Sequence, residues 1–144
     1  KMKVAVKKLS SDAVLPSLGS AYAAGAELYS IEELTLAPGE TKLVHTGLAM
    51  EIPVGYGGFI FARSGIATKK GLAPANKVGV VDADYRGEIG VILINLSQEP
   101  QTIEPGERIC QMVIAKHEQP TLTEVEVLGD TERGAGGFGH SGVK

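Results

Sequence analysis

The sequence predicts an all-β domain, a small sandwich or barrel of mainly antiparallel strands with one short helix. Three observations carry this. Apolar residues make up 43% of the 144-residue chain and aromatics 5%, so the core must be built from Val, Ile, Leu and Ala, and the β-branched members of that set suit strands. Turn signals recur roughly every ten residues, the spacing of a small all-β fold. A Pro-Gly turn between strand-like runs occurs twice, at Pro38-Gly39 and at Pro105-Gly106; Pro presets one turn dihedral and Gly accepts the positive φ that follows. The length fits one domain.

Taken in order, residues 2–9 alternate and read as a first strand, which Leu15-Pro16-Ser17 interrupts. Ser20 to Ser30 is rich in alanine, which favours helix, but Gly25, Tyr22 and Tyr29 tip the expectation to strand. Ser30 to Leu34 reads as one turn. Thr41 to Met50 and Arg108 to Ile114 follow the two Pro-Gly turns as strands, and the two hairpins suggest an antiparallel sandwich with related halves. Phe59 to Ala62 is another apolar run. Gly65 to Lys70, with its Ala and Lys, is the expected helix. Val78 to Val81 and Ile89 to Ile94 flank the polar corner Asp82 to Glu88, with Gly87 where the chain turns back, and predict a β-hairpin. After Val127 the character changes. Residues 129–144 are rich in glycine without apolar periodicity and are expected to form a mobile arm beyond a barrel domain of residues 1–128.

Composition narrows the function. The formal charge is −3 with no basic run, which argues against nucleic acid as a partner. No segment approaches the ~20 apolar residues of a membrane span. The single cysteine, Cys110, lies in an apolar run and reads as a small core residue, and one cysteine allows no internal disulfide. Lys1 to Ser10 lacks the apolar region of a signal peptide, so the expected location is the cytoplasm. His45, His117 and His140 are far apart and give no metal-ligand spacing. There is no GxSxG elbow and no Walker-type loop.

Several residues can carry chemistry. Asp82 directly follows an apolar run, at the mouth of a strand, where partial desolvation would make its carboxylate a better proton acceptor. Arg63-Ser64-Gly65 lies between a strand and a helix start, where free N–H groups and a guanidinium fork suit phosphate oxygens. Phe138 and Arg133 stand among glycines that let a backbone wrap closely around a ligand, as a lid would. Each feature alone also has a plainer reading: a turn capped by Asp82 and Asp84, a solvated strand end, and a frayed terminus.

Together these segments resemble the trimeric deoxyuridine triphosphatase (dUTPase) family, along almost the whole chain and through five motifs in order. They are Ala24 to Leu28, Ala62 to Ala67, Gly79 to Gly87, Gly106 to Met112 and Arg133 to Gly142. The third is the closest match. The resemblance implies a distorted jelly roll of the β-clip kind, a homotrimer with active sites shared between subunits, and an arm that closes over a neighbour's site. It implies hydrolysis of dUTP to dUMP and pyrophosphate with Mg²⁺, which keeps uracil out of DNA and supplies dUMP for thymidylate synthesis.

The resemblance also implies roles. Asp82 would be the general base. Tyr85 would lie against the deoxyribose and exclude a 2′-hydroxyl. Asn76 and the backbone of Gly79, Val80, Val81 and Asp82 would read uracil, with Gly90 across the hairpin. Arg63, Ser64, Gly65 and Gln111 would hold phosphates. Arg133 and Ser141 would reach the γ-phosphate, and Phe138, followed by Gly139, would stack on the base. Glu27 would order water around the metal, although the family usually has Asp there. His140 stands where many members have a small hydroxyl residue, and at Gly90 many have a longer side chain. A dCTP deaminase of the same fold and a non-catalytic dUTP-binding regulator are the alternatives.

Overall fold

A computed structural model describes all residues, Lys1–Lys144. It contains twelve strands and one helix: β1 (Ala5–Lys8), β2 (Ser17–Leu18), β3 (Ala26–Tyr29), β4 (Leu34–Leu36), β5 (Thr41–His45), β6 (Leu48–Glu51), β7 (Tyr56–Phe61), α1 (Ser64–Lys70), β8 (Leu72–Pro74), β9 (Gly79–Val81), β10 (Gly90–Asn95), β11 (Gln101–Ile103) and β12 (Arg108–Lys116). All pairings are antiparallel. They form a five-stranded sheet, β2-β3-β12-β7-β9, a three-stranded sheet, β5-β10-β8, and the pairs β1-β6 and β11-β4. The all-β expectation with one short helix holds.

The core lies between these sheets and is aliphatic. Leu28, Leu36, Val44, Leu48, Leu72, Leu93, Ile103 and Ile109 are fully buried, each the kind of side chain whose burial contributes about 1.5–3 kcal/mol. In β10 the inward positions are Val91, Leu93 and Asn95, with period two. Buried Asn95 is satisfied: its Nδ2 donates to the carbonyls of Leu36 (3.0 Å) and Glu99 (2.8 Å), and its Oδ1 accepts from Ser97 N (2.9 Å) and Ser97 Oγ (2.7 Å). Cys110 is buried as expected, and desolvation pushes its thiol up to about 12, which leaves it unreactive.

Both Pro-Gly turns form, and they use one device. Gly39 and Gly106 take positive φ (77° and 83°). The glutamate after each glycine bonds back into its own turn: Glu40 Oε1 accepts from Ala37 N at 2.9 Å and Glu107 Oε1 from Glu104 N at 3.1 Å. Neither turn joins a hairpin, which corrects the expectation. β4 and β5 lie in different sheets, as do β11 and β12; instead β4 pairs with β11, so the two similar segments meet each other. Thr35 Oγ1 and Thr102 Oγ1 are 2.8 Å apart across that pair.

Three further expectations need correction. The strand predicted over Ser20 to Ser30 forms only at Ala26–Tyr29, because the preceding residues turn, with Ala23 N bonded to Ser20 O at 3.2 Å. The run Thr41 to Met50 breaks at Thr46-Gly47, where Gly47 takes φ 68°. Most consequentially, Val78 to Val81 and Ile89 to Ile94 do not pair as a hairpin: β9 joins β7, and β10 joins β5 and β8. Each run pairs with strands from elsewhere in the chain, and the corner between them crosses from one sheet to the other. Helix α1 starts at Ser64, has Lys69 and Lys70 in its last turn and ends at Gly71 with φ 64°, a left-handed cap that glycine adopts without steric cost. Regular structure ends at Lys116.

Candidate active site

The divergence of β9 and β10 opens a cleft of about 490 Å³ between the two sheets. β9 is an edge strand, paired only with β7, so one row of its N–H and C=O groups faces the cleft unpaired. Such a row presents alternating donors and acceptors to a flat heterocycle. The expected base-reading residues come together here: Asn76, Gly79, Val80, Val81, Asp82, Tyr85 and Gly90 all line the cleft. Asn76 is carried on a tight turn in which Lys77 takes φ 66° and Lys77 N bonds Pro74 O at 3.2 Å. A Cβ on Gly79 would lie 3.3 Å from Ile60 Cβ, a tight approach across β7 and β9, while the Asn76 amide would be in ordinary contact at 3.6 Å.

Asp82 and Tyr85 form the mouth. Tyr85 N donates to Asp82 O at 3.1 Å and closes the corner as a turn. The Tyr85 hydroxyl donates to Glu88 O at 2.8 Å, and the hydroxyl end of the ring lies against Gly87, where a Cβ would meet Tyr85 Oη at 2.5 Å. Asp82 is exposed in the single chain. The expected desolvation is therefore not supplied by the strand mouth, because the corner lifts the carboxylate clear of the core.

A second cluster sits on the other end of the large sheet. Glu27 of β3, Gln111 of β12 and Phe61 of β7 share one row of the register, and Arg63, Ser64 and Gly65 follow β7 directly. Gln111 Nε2 donates to Ala62 O at 3.0 Å. Arg63 Nε lies 2.9 Å from Glu27 Oε2, a close charge contact between largely buried groups. Beyond this charge contact, Glu27 Oε2 is buried and takes no hydrogen bond. No group of three His, Cys, Asp or Glu side chains exists that would cage a metal. A hydrated cation here would be held mainly by phosphates, because Glu27 Oε2 is shut off from solvent beside the Arg63 guanidinium.

The two clusters do not meet within one chain. Val81 pairs with Gly58, which puts Asp82 opposite Gly57, while Arg63 lies six residues further along, about 20 Å at ~3.3 Å per strand residue. The arm also stays apart. Arg133 Nε donates to Gly136 O at 2.6 Å, Phe138 is fully exposed with φ 52°, and Gly139 has φ 84°. No hydrogen bond or ion pair ties residues 129–144, Ser141 included, to the body.

Six cleft residues escape a reading of the sequence: Leu43, His45, Ile60, Glu88, Ile89 and Ile92. His45 Nδ1 and Glu88 Oε1 are 2.9 Å apart. The hydrogen bond to Glu88 raises the His45 pKa above 6.5, against a smaller opposing effect of desolvation. A charged residue immediately before the Ile89 run was the available signal for Glu88; nothing local marked His45.

Comparison with known proteins agrees with this geometry. The sequence model of the dUTPase family matches residues 11–142. A deoxyuridine 5′-triphosphate nucleotidohydrolase of Nautilia profundicola is 52% identical over 141 residues, covering 98% of this chain and 99% of its own. One of Syntrophotalea carbinolica is 46% identical over 141 residues, covering 96% of each. Among solved structures, a mutant dUTPase of Staphylococcus bacteriophage 80alpha with dUpNHpp superposes with TM-score 0.92 at 31% identity, covering 99% of this chain and all of that one (100%). A mutant dUTPase from phage phi11 of S. aureus, described with a structural Mg(II) ion, superposes with TM-score 0.83 at 26% identity, over 90% of this chain and 100% of its own. On its motifs, its fold and these relatives, this chain belongs to the dUTPase family.

Proposed function

We propose that this protein hydrolyses dUTP to dUMP and pyrophosphate, with Asp82 as the general base. The observation that carries this reading is the edge-strand cleft with one carboxylate at its mouth and a tyrosine ring folded beside it. The open edge of β9 supplies backbone donors and acceptors at fixed spacing, and the Asn76 amide adds to them. Cytosine presents the opposite pattern at one edge and would leave a buried group unpaired, which costs about 1–3 kcal/mol. Tyr85, held by Gly87 and Glu88, stands where a 2′-hydroxyl would need space.

Asp82 takes the proton from a water as that water attacks the α-phosphorus. The bond from that phosphorus to the bridging oxygen breaks, and pyrophosphate leaves. Water forms the new P–O bond, so no covalent enzyme intermediate is needed; positioning and charge stabilisation do most of the work. The exposure of Asp82 in the single chain means that bound nucleotide and a neighbouring subunit must exclude solvent around it. Arg63, with the Ser64 and Gly65 backbone and Gln111, binds phosphate oxygens. Mg²⁺ would be held mainly by the triphosphate and water and would neutralise phosphate charge; Glu27 would reach one of those waters only where Arg63 turns from it to the phosphates.

The separation of about 20 Å between Asp82 and Arg63 supports a site assembled from more than one chain, as in a homotrimer. One subunit supplies the cleft and another the phosphate cluster. The exposed arm then closes over a neighbour, with Phe138 stacked on uracil, Gly139 allowing close approach, and Arg133 and Ser141 at the γ-phosphate.

The test is pyrophosphate release from dUTP, dCTP, dTTP and UTP, with and without Mg²⁺. Selective release from dUTP is expected. Ammonia from dCTP would instead identify a deaminase, and tight dUTP binding without turnover a regulator.

A further inference from the structure

We infer that Leu43 of β5 is a substrate-binding residue of the cleft: it stands in the space that a side chain at residue 90 would fill, and it offers the uracil nucleoside an apolar surface there. This deepens the proposed function and rests on it. A Cβ on Gly90 would lie 2.5 Å from Leu43 Cδ1, 3.3 Å from its Cγ and 3.7 Å from its Cδ2. The branched end of Leu43 therefore occupies the place of a residue-90 side chain. The backbone of Gly90 does not itself require glycine: it lies in the β10 ladder opposite His45 and is not among the positive-φ glycines. A glycine inside a strand often marks a close approach, and here the approaching group is Leu43.

The register explains the reach. β5 and β10 pair His45 with Gly90 and Leu43 with Ile92, so Leu43 and Gly90 are diagonal neighbours on one face, within range of a long side chain. On the opposite face Val44, Val91 and Leu93 are fully buried. That packing fixes the two strands beneath Leu43, while its own side chain is left 50% exposed. Leu43 and Gly90 both line the cleft.

Leu43 is not alone there. Val80, 62% exposed, and Ile92, 37% exposed, line the same cleft. One exposed leucine is ordinary. Three exposed aliphatic side chains around one cavity form a patch, and such patches mark binding sites. The Asn76 amide and the open edge of β9 pair the carbonyl and N–H groups of a pyrimidine. Its C–H edge and the deoxyribose carbons need apolar contact instead, which ligand clefts supply with aliphatic walls. Leu43 furnishes that wall from β5, since residue 90 has no side chain to do so.

The experiment compares the full-length wild type with Leu43→Ala, Gly90→Met and the double variant. Steady-state kinetics on dUTP give KM and kcat, and methyl NMR of the wild type follows the Leu43 methyl groups as dUMP is added. Leu43→Ala should raise KM about five- to tenfold, as loss of three partly covered carbons implies, with KM moving more than kcat. Gly90→Met alone should also raise KM, because two side chains compete for one space. The double variant should recover much of the loss, since a flexible methionine refills the vacated position; a merely structural leucine would give no such rescue of KM. The Leu43 methyl signals should shift with dUMP. A wild-type KM in Leu43→Ala, a double variant no better than the worse single one, or methyl signals indifferent to dUMP would overturn the assignment. So would a Leu43→Ala chain whose assembly falls apart in sedimentation while its affinity for dUMP is unchanged, which would make the patch a subunit interface. A wild type that binds dUMP yet releases no pyrophosphate from dUTP would sink the proposed reaction alone, and dUMP affinities of the same four proteins would then decide Leu43. The methyl NMR needs no variant, so it decides even where Gly90→Met fails to fold.

Discussion

Gly25, just before β3, and Gln111 of β12 touch so closely that no side chain fits between them: a Cβ on Gly25 would lie 2.4 Å from Gln111 Oε1 and 3.0 Å from Gln111 Cβ. The first and fourth motifs are thus one packing unit. The glutamine's hold on the Ala62 carbonyl, just before Arg63, depends on a glycine far away in sequence.

Gly25→Ala tests that unit. The methyl must push Gln111 off its bond to Ala62, and overpacking of this kind costs about 1–3 kcal/mol. We expect a lower midpoint of denaturation and, through a displaced phosphate cluster, a KM for dUTP raised about tenfold or more. A fully active and equally stable variant would show that Gln111 has room to spare.

Asp82→Asn removes the base with little change in shape. If Asp82 accepts the proton, kcat should fall by a factor of order 10² or more while binding of a non-cleavable analogue persists. Calorimetric titration beside single-turnover kinetics separates the two. Retained turnover would move the base elsewhere.

Removal of residues 130–144 should cripple turnover and leave the fold intact, since no hydrogen bond ties that segment to the body. Thermal unfolding should be unchanged, sedimentation should report the same assembly as the full chain, and pyrophosphate release should fall steeply. An undiminished rate would mean that the arm is not a lid.

The His45–Glu88 pair predicts a pH signature in stability. The folded pKa of His45 lies above 6.5, raised by its bond to Glu88. Its contribution is therefore fully present below 6.5 and is lost as pH rises through the higher folded value. The His45 side chain is 43% exposed, so solvent screens the pair and the effect should be small. Melting curves of the wild type and Glu88→Gln should differ most on the acid side and converge as pH rises. A gap that widened with pH would reverse the sign and dismiss the pair as its cause.

The chain's local chemistry was open to inspection without coordinates. Pro38-Gly39 and Pro105-Gly106 specify their turns because one residue presets φ and the next accepts a positive one. The helix before Gly71, the burial of Cys110, the aliphatic core and the five ordered motifs follow from residue type and spacing. What the linear order could not decide was partnership. The runs on either side of Asp82 read as a hairpin, yet each pairs with a different sheet, because ladder bonds form with whichever strand buries the apolar face best. The exposure of Asp82, the meeting of β4 with β11, the distance between Asp82 and Arg63, and the bond from His45 to Glu88 all follow from that choice. They are contacts between residues remote in sequence, and only the packed chain fixes them.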